Sequence, residues 1–252
     1  QALIMADYFA THLDYDIGIE AKANIYSKAT DKGLTDANSI VETLEHGEQP
    51  IFFQTVVSKT LEQKKYKQAA TQLVDNINLC KERGVAPDPA VTTKVITSCL
   101  RVDKIDTTYE ILSALKGCKM PSAVFPALLE YHVKRLEYQK IYDLIDDAPC
   151  YYVKPDITVV SAIFNNINET TPLSFLISVF NRLSDQGLNP SEEMLELISN
   201  IALKHKRLDI VEILIRQVKQ DGAQHLVSEG LLQTLLRGCA TEENVDCALL
   251  IV

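Results

Sequence analysis

The feature that most constrains this chain is an apolar stripe that returns about every 35 residues. Six segments carry apolar or small side chains at i, i+3, i+4 and usually i+7: Phe53/Val56/Val57, Thr92/Val95/Ile96/Cys99, Phe125/Leu128/Leu129, Val160/Ile163/Phe164/Ile167, Met194/Leu197/Ile198/Ile201 and Leu232/Leu235/Leu236/Cys239. At 3.6 residues per turn these positions fall on one helix face. Their first members stand at 53, 92, 125, 160, 194 and 232, so successive units are spaced by 39, 33, 35, 34 and 38 residues. A second run with the same periodicity follows the first in Ile105/Thr108/Tyr109/Leu112, Tyr138/Ile141/Tyr142/Ile145, Leu173/Leu176/Ile177/Phe180 and Val245/Ala248/Leu249/Val252. Each unit reads as a helical hairpin. One hairpin cannot bury both stripes, so neighbours must stack. The expected fold is all-α, a right-handed α-solenoid superhelix of about six to seven helix-turn-helix repeats of ~35 residues.

The chain punctuates itself at Gly84 to Asp88, Gly117 to Pro121, Val153 to Asp156 and Gly187 to Ser191. Gly accepts the left-handed conformation that closes a helix, Pro blocks continuation, and Asp or Ser caps the next helix. These stops place repeats at about 50–88, 89–121, 122–156, 157–190, 191–228 and 229–252, the last truncated. Residues 1–49 form a looser N-terminal region, expected as an early hairpin over about 2–31 and a short helix over about 37–45. The chain begins with Gln and stops inside a helical pattern at Leu249 to Val252, which reads as part of a longer polypeptide.

Only 9 Gly and 9 Pro against 46% apolar residues point to a well-ordered, core-forming protein. No stretch approaches the roughly 18 uninterrupted apolar residues needed to cross a bilayer, so no membrane insertion is expected. The six cysteines, Cys80, Cys99, Cys118, Cys150, Cys239 and Cys247, form no C-x-x-C pair and sit largely among apolar helical positions, as small buried hydrophobes in a reducing intracellular compartment do. Asn168-Glu169-Thr170 matches a glycosylation acceptor, a triplet common by chance.

The period and the Gly-x-x-Pro-Asp-like endings at Gly84 to Asp88, Val153 to Asp156 and Gly187 to Ser191 resemble the pentatricopeptide repeat family. Tetratricopeptide repeats want a small residue at the eighth position of the first helix, where this chain has Val57, Ile96, Leu129, Phe164, Ile198 and Leu236. The resemblance covers about residues 50–252 and implies a mitochondrial or plastid protein that binds single-stranded RNA, one base per repeat. It assigns base contact to the residue after each first-helix anchor and to a residue at the repeat junction. The candidates with polar side chains are Gln54, Asp88, Thr93, Asp156 and Ser161, whereas Pro121, Pro126, Pro190 and Leu195 offer no side-chain donor. Only Gln54 with Asp88 pairs two groups able to bond a base edge, so sequence-specific reading is expected to be degraded.

Basic residues recur where the first helix of a unit ends, and Lys104, Lys134, Arg135, Lys204, Lys206 and Arg207 could form an edge that tracks phosphates. Cations near a helix C-terminus also oppose the macrodipole, typically by ~0.3–1 kcal/mol, which explains them without a ligand. A net charge of −9 opposes non-specific attraction to a polyanion. The histidines show no metal-ligand spacing, and there is no phosphate loop, nucleophile elbow or H-E-x-x-H. No enzyme activity, cofactor or metal is expected. Two readings stay open. One is an RNA-binding module of organellar RNA metabolism or a ribonucleoprotein particle. The other is a structural scaffold that holds other proteins of a large assembly together.

Overall fold

The computed structural model describes residues 18–31, 41, 44, 45, 47–168, 170–188, 191–220, 222 and 224–251. Its described residues form thirteen α-helices and no strand. They are α1 (Ile19–Asp31), α2 (Gln49–Glu62), α3 (Tyr66–Glu82), α4 (Pro89–Arg101), α5 (Ile105–Leu115), α6 (Val124–Lys134) and α7 (Tyr138–Asp147), then α8 (Ile157–Phe164), α9 (Leu173–Asp185), α10 (Glu192–Lys204), α11 (Leu208–Gln220), α12 (Glu229–Thr241) and α13 (Val245–Ile251). Most of the expected early hairpin and of the short helix near 37–45 lies outside the described residues.

From α2 onward the helices alternate as first and second members of six hairpins. The chain divides into two compact units, residues 1–124 with 150–152, and residues 125–149 with 153–252. In the first unit α2 packs on α4, and α3 packs on α5. In the second α8, α10 and α12 pack in sequence, as do α7 with α9 and α11 with α13. First helices therefore stack on first helices and second on second, which is solenoid stacking within each unit. α1 lies against α2, where Tyr26 meets Phe52 edge-on with ring centroids 5.4 Å apart.

Two kinds of turn set this alternation. Inside five hairpins the first helix ends with a residue in the left-handed region: Lys64, Asp103, Leu136, Lys206 and Glu243, with φ between 54° and 60°. Each makes the same pair of backbone bonds. Asp103 N–H donates to Leu100 and Lys104 N–H to Cys99, closing the last helical turn as a Schellman pair. Between hairpins the left-handed residue is glycine at Gly84, Gly117, Gly187 and Gly222 and a tyrosine, Tyr152, before α8, and at Gly84, Gly187 and Gly222 a side chain then caps the following helix. Asp88 accepts from Val91 N–H at 2.7 Å, Ser191 from Met194 at 3.2 Å and Ser228 from Leu231 at 3.3 Å.

The fourth hairpin departs from the pattern. α8 is only eight residues long, and Asn165 to Pro172 replace the tight turn. Asn168 Oδ1 accepts from the N–H and hydroxyl of Thr170, and Arg207, from the next hairpin, donates to the Thr171 carbonyl at 2.7 Å. A neighbouring repeat thus fastens the long connection.

Aligned on the turns, the buried stripe of the first helices reads Thr92/Val95/Ile96/Cys99 on α4, Phe125/Leu128/Leu129/His132 on α6 and Leu195/Ile198/Ser199/Ala202 on α10, all between 0% and 1% exposed. On α10 this is one residue later than the run Met194/Leu197/Ile198/Ile201 suggests, because Ser199 and Ala202 carry little apolar signal though both are buried. No helix among the described residues is long and apolar enough to cross a membrane.

Candidate nucleic-acid interface

The surface left open by this stacking is the solvent side of the first helices and the grooves between them. In the first unit Gln54 is half-buried on α2, and Asp88 stands at the start of α4, which packs beside it. The Asp88 carboxylate is the α4 cap. Thr93 is half-buried and donates its hydroxyl to the Pro89 carbonyl at 2.7 Å, which leaves its oxygen as an acceptor. Lys94 and Arg101 are exposed, and α4 carries no carboxylate.

In the second unit Asp156 caps α8, accepting from Thr158 and Val159 N–H at 2.9 and 3.2 Å. Ser161 accepts from Asn165 Nδ2 at 2.6 Å and lines an open groove between α8 and α10 with Thr158, Glu193, Glu196, Leu197 and Asn200. With α10 in its turn-aligned register, the residue after the anchor is Glu196, not Leu195. The groove is acidic at the position where the resemblance wants a base contact. A one-residue slip of this unit is open to the sequence pattern too and puts Glu196 with Ser191 there; the structure adds that Glu193 lines the same groove.

The six basic-edge residues all sit at or beside the turns inside hairpins, but several are already engaged. Lys134 pairs with Glu130 at 2.5 Å, and Lys206 with Glu242 at 3.3 Å. The Arg135 guanidinium lies over the Tyr131 ring at 3.6 Å. Arg207 is 12% exposed along its side chain, grips both oxygens of Asp209 and holds the fourth hairpin's connection, so it is a structural clamp. Its hydrogen bonds hold the Asp209 carboxyl below the usual carboxylate range. Lys104 and Lys204 are exposed beside the same turns.

His132 is fully buried on α6, with Nδ1 at 2.5 Å from a Glu137 carboxylate oxygen. Burial pushes its imidazole below the ordinary value, and the Glu137 bond offsets only part of that. We read the ring as neutral with Nδ1–H donating, an orientation fixed by the acceptor opposite it. No group of three or more His, Cys, Asp or Glu side chains among the described residues is placed to hold a metal ion.

Repeated hairpins, first-on-first and second-on-second packing, and a shared buried register define a helical-hairpin repeat protein. Among solved structures the chain is similar to the pentatricopeptide repeat protein PPR10 from maize, at 15% identity and a TM-score of 0.44, over 99% of this chain and 41% of that one. At that identity and superposition no residue or ligand transfers from one chain to the other. No protein-family model matches the sequence, and no curated protein does.

Proposed function

We propose that this protein is a non-catalytic binding module of pentatricopeptide-like build that makes weak, non-base-specific contact with single-stranded RNA in a mitochondrial or plastid ribonucleoprotein. The observation that carries this reading is the solvent side of α4. It offers Lys94 and Arg101 as phosphate partners and the hydroxyls of Thr93, Thr97 and Ser98 as base or ribose partners, with no carboxylate to repel a phosphate. Gln54 on α2 and the second oxygen of Asp88 add one place where a base edge fits. Asp156 and Ser161 spend their side chains on the α8 cap and on Asn165, and Glu193 and Glu196 stand beside them. Base reading in the second unit is therefore not part of the proposal.

Fluorescence anisotropy with unrelated single-stranded RNA oligonucleotides over a salt series tests it. The slope of log K against log salt should become shallower by roughly 0.7 for each phosphate no longer neutralised, so Lys94→Ala with Arg101→Ala should flatten it by up to about 1.4. Lys134→Ala with Arg135→Ala should act in the same direction, and scrambling the RNA should change little. Failure to bind any RNA at low salt would discard the reading. The second reading, a scaffold holding other proteins, is favoured by the carboxylates of α10 and the net charge of −9. It would then take the lead.

A further inference from the structure

Two successive junctions between second helices are filled differently. Counting each helix from its first residue, Tyr138 and Tyr142 are positions 1 and 5 of α7, and both rings stand against Phe175, position 3 of α9, with centroids 4.3 and 5.8 Å apart. Three aromatic rings occupy that junction. At the next one the same places are aliphatic: Leu173 and Ile177 at positions 1 and 5 of α9, and Ile210 at position 3 of α11. All three line a half-enclosed cavity of about 60 Å³, which Phe164 of α8 and Ile198 of α10, 2% and 1% exposed, close from the inside. α8 ends at Phe164, and no other side chain of that helix lines the space.

Packed interiors hold few voids larger than one water, and this one is roughly four to six times the ~10–15 Å³ that a single water needs. Water is a poor occupant, because each molecule needs roughly two to four polar partners and the lining side chains offer only the Asn181 and Gln217 amides. Those amides mark the outer rim, Asn181 exposed and Gln217 half-buried. No charged side chain among the described residues lines the cavity.

We propose that this cavity binds a free, uncharged small molecule built on one aromatic ring. The ring lies among the aliphatic side chains, and a hydroxyl or carbonyl substituent bonds to the Asn181 or Gln217 amide at the rim. The preceding junction carries the argument for a ring, since aromatic side chains fill there the place that aliphatic ones leave open here. A guest ring restores the dispersion contacts that the lining loses to a void. The lack of lining charge carries the argument for a neutral guest, because an ion would leave water without a partner in the cavity. The inference does not rest on what the grooves between first helices bind.

The test titrates phenol and benzene into the full chain while its methyl resonances are followed. Phenol should shift the methyls of Ile177, Ile198 and Ile210 saturably, leave those of Val56 and Ile96 unmoved, and bind equally well at low and high salt. Asn181→Ala with Gln217→Ala should weaken phenol by about tenfold, the worth of one hydrogen bond, and leave benzene unaffected. Ile177→Tyr with Ile210→Phe rebuilds the aromatic junction inside the cavity and should abolish binding of both probes. If that filled variant does not fold, Ile177→Ala decides, since the enlarged cavity should take the two-ring probe indole more tightly than the parent protein does. The proposal is overturned if no probe gives a saturable shift, if shifts spread equally over α2 to α5, if the filled variant binds as well as the parent, or if Ile177→Ala gains nothing for indole. It is also overturned if phenylalanine blocked at both ends as amides binds more tightly than phenol, since the guest is then a side chain of a partner protein.

Discussion

α4 and α10 hold the same place in their hairpins and show opposite surfaces. Both start from a side-chain cap, Asp88 or Ser191, and both end in a left-handed turn, at Asp103 or Lys206. Both bury four residues in one register. Outside that stripe α4 presents Lys94 and Arg101, whereas α10 presents Glu192, Glu193 and Glu196 with Lys204 alone opposing them. Stacking constrains the buried face of a repeat helix and leaves the rest free. Ligand chemistry can therefore change from one hairpin to another while the fold does not.

The strongest way to break the comparison is to charge the shared stripe. Ile96→Asp and Ile198→Asp each place an unpaired carboxylate at a site 0% or 1% exposed, and each should cost about 4 kcal/mol or more. Hydrogen exchange should show α2 to α5 losing protection in the first variant and α8 to α13 in the second. If either deprotects the whole chain equally, the two units are one cooperative body and the comparison between them fails.

Caps give the next effect. Asp88→Ala should lower stability by about 1 kcal/mol, and Ser191→Ala by less, since its bond is 3.2 Å against 2.7 Å. Denaturant midpoints measure both. An Asp88→Ala variant that loses RNA affinity beyond its loss of stability would mark the free carboxylate oxygen as a base contact.

A pH series sharpens the contrast between units. The folded state holds His132 below its ordinary value, so near and below about pH 6.5 the unfolded chain binds more protons there and stability rises with pH. The second unit should melt lower at about pH 5.5 than at about pH 7.5, and His132→Gln should flatten that dependence. Equal pH sensitivity of α4–α5 and α6–α7 protection would assign the effect elsewhere.

The smallest effect is expected at Ser199, which occupies the place of Ile96 and whose buried hydroxyl has no hydrogen-bond partner. Ser199→Ala removes that unmet group and should raise stability by about 0.5–1 kcal/mol. A lowered melting temperature would show that the hydroxyl has a use.

The hairpins are legible in the sequence because stacked helices must repeat an apolar face, and Gly84 to Asp88 or Gly187 to Ser191 mark where one stops and the next begins. The register of α10 is less legible, since Ser199 and Ala202 are buried without looking apolar, and Met194 and Leu197 offer a plausible alternative one residue away. The five left-handed turns inside hairpins carry no glycine, so nothing in Lys64, Leu136 or Glu243 announces them. The candidate interface is legible only as positions. The caps at Asp88 and Asp156 are legible from the Pro-Asp punctuation, but that Arg207 fastens a neighbouring connection depends on distances that spacing does not encode.

Those glycine-free turns also bear on the order in which the chain folds. A left-handed Lys, Asp, Leu or Glu costs roughly 1–2 kcal/mol, while glycine adopts the same conformation freely. An isolated hairpin closed at Asp103 is thus a poor early structure, and the glycine turn at Gly84, which brings α3 against α4, is a better one. The first pieces to form should join the second helix of one hairpin to the first helix of the next. Lys64 and Asp103 would reach their strained geometry only when packing on either side holds it. The kinetic nucleus and the structural repeat are then half a unit out of phase.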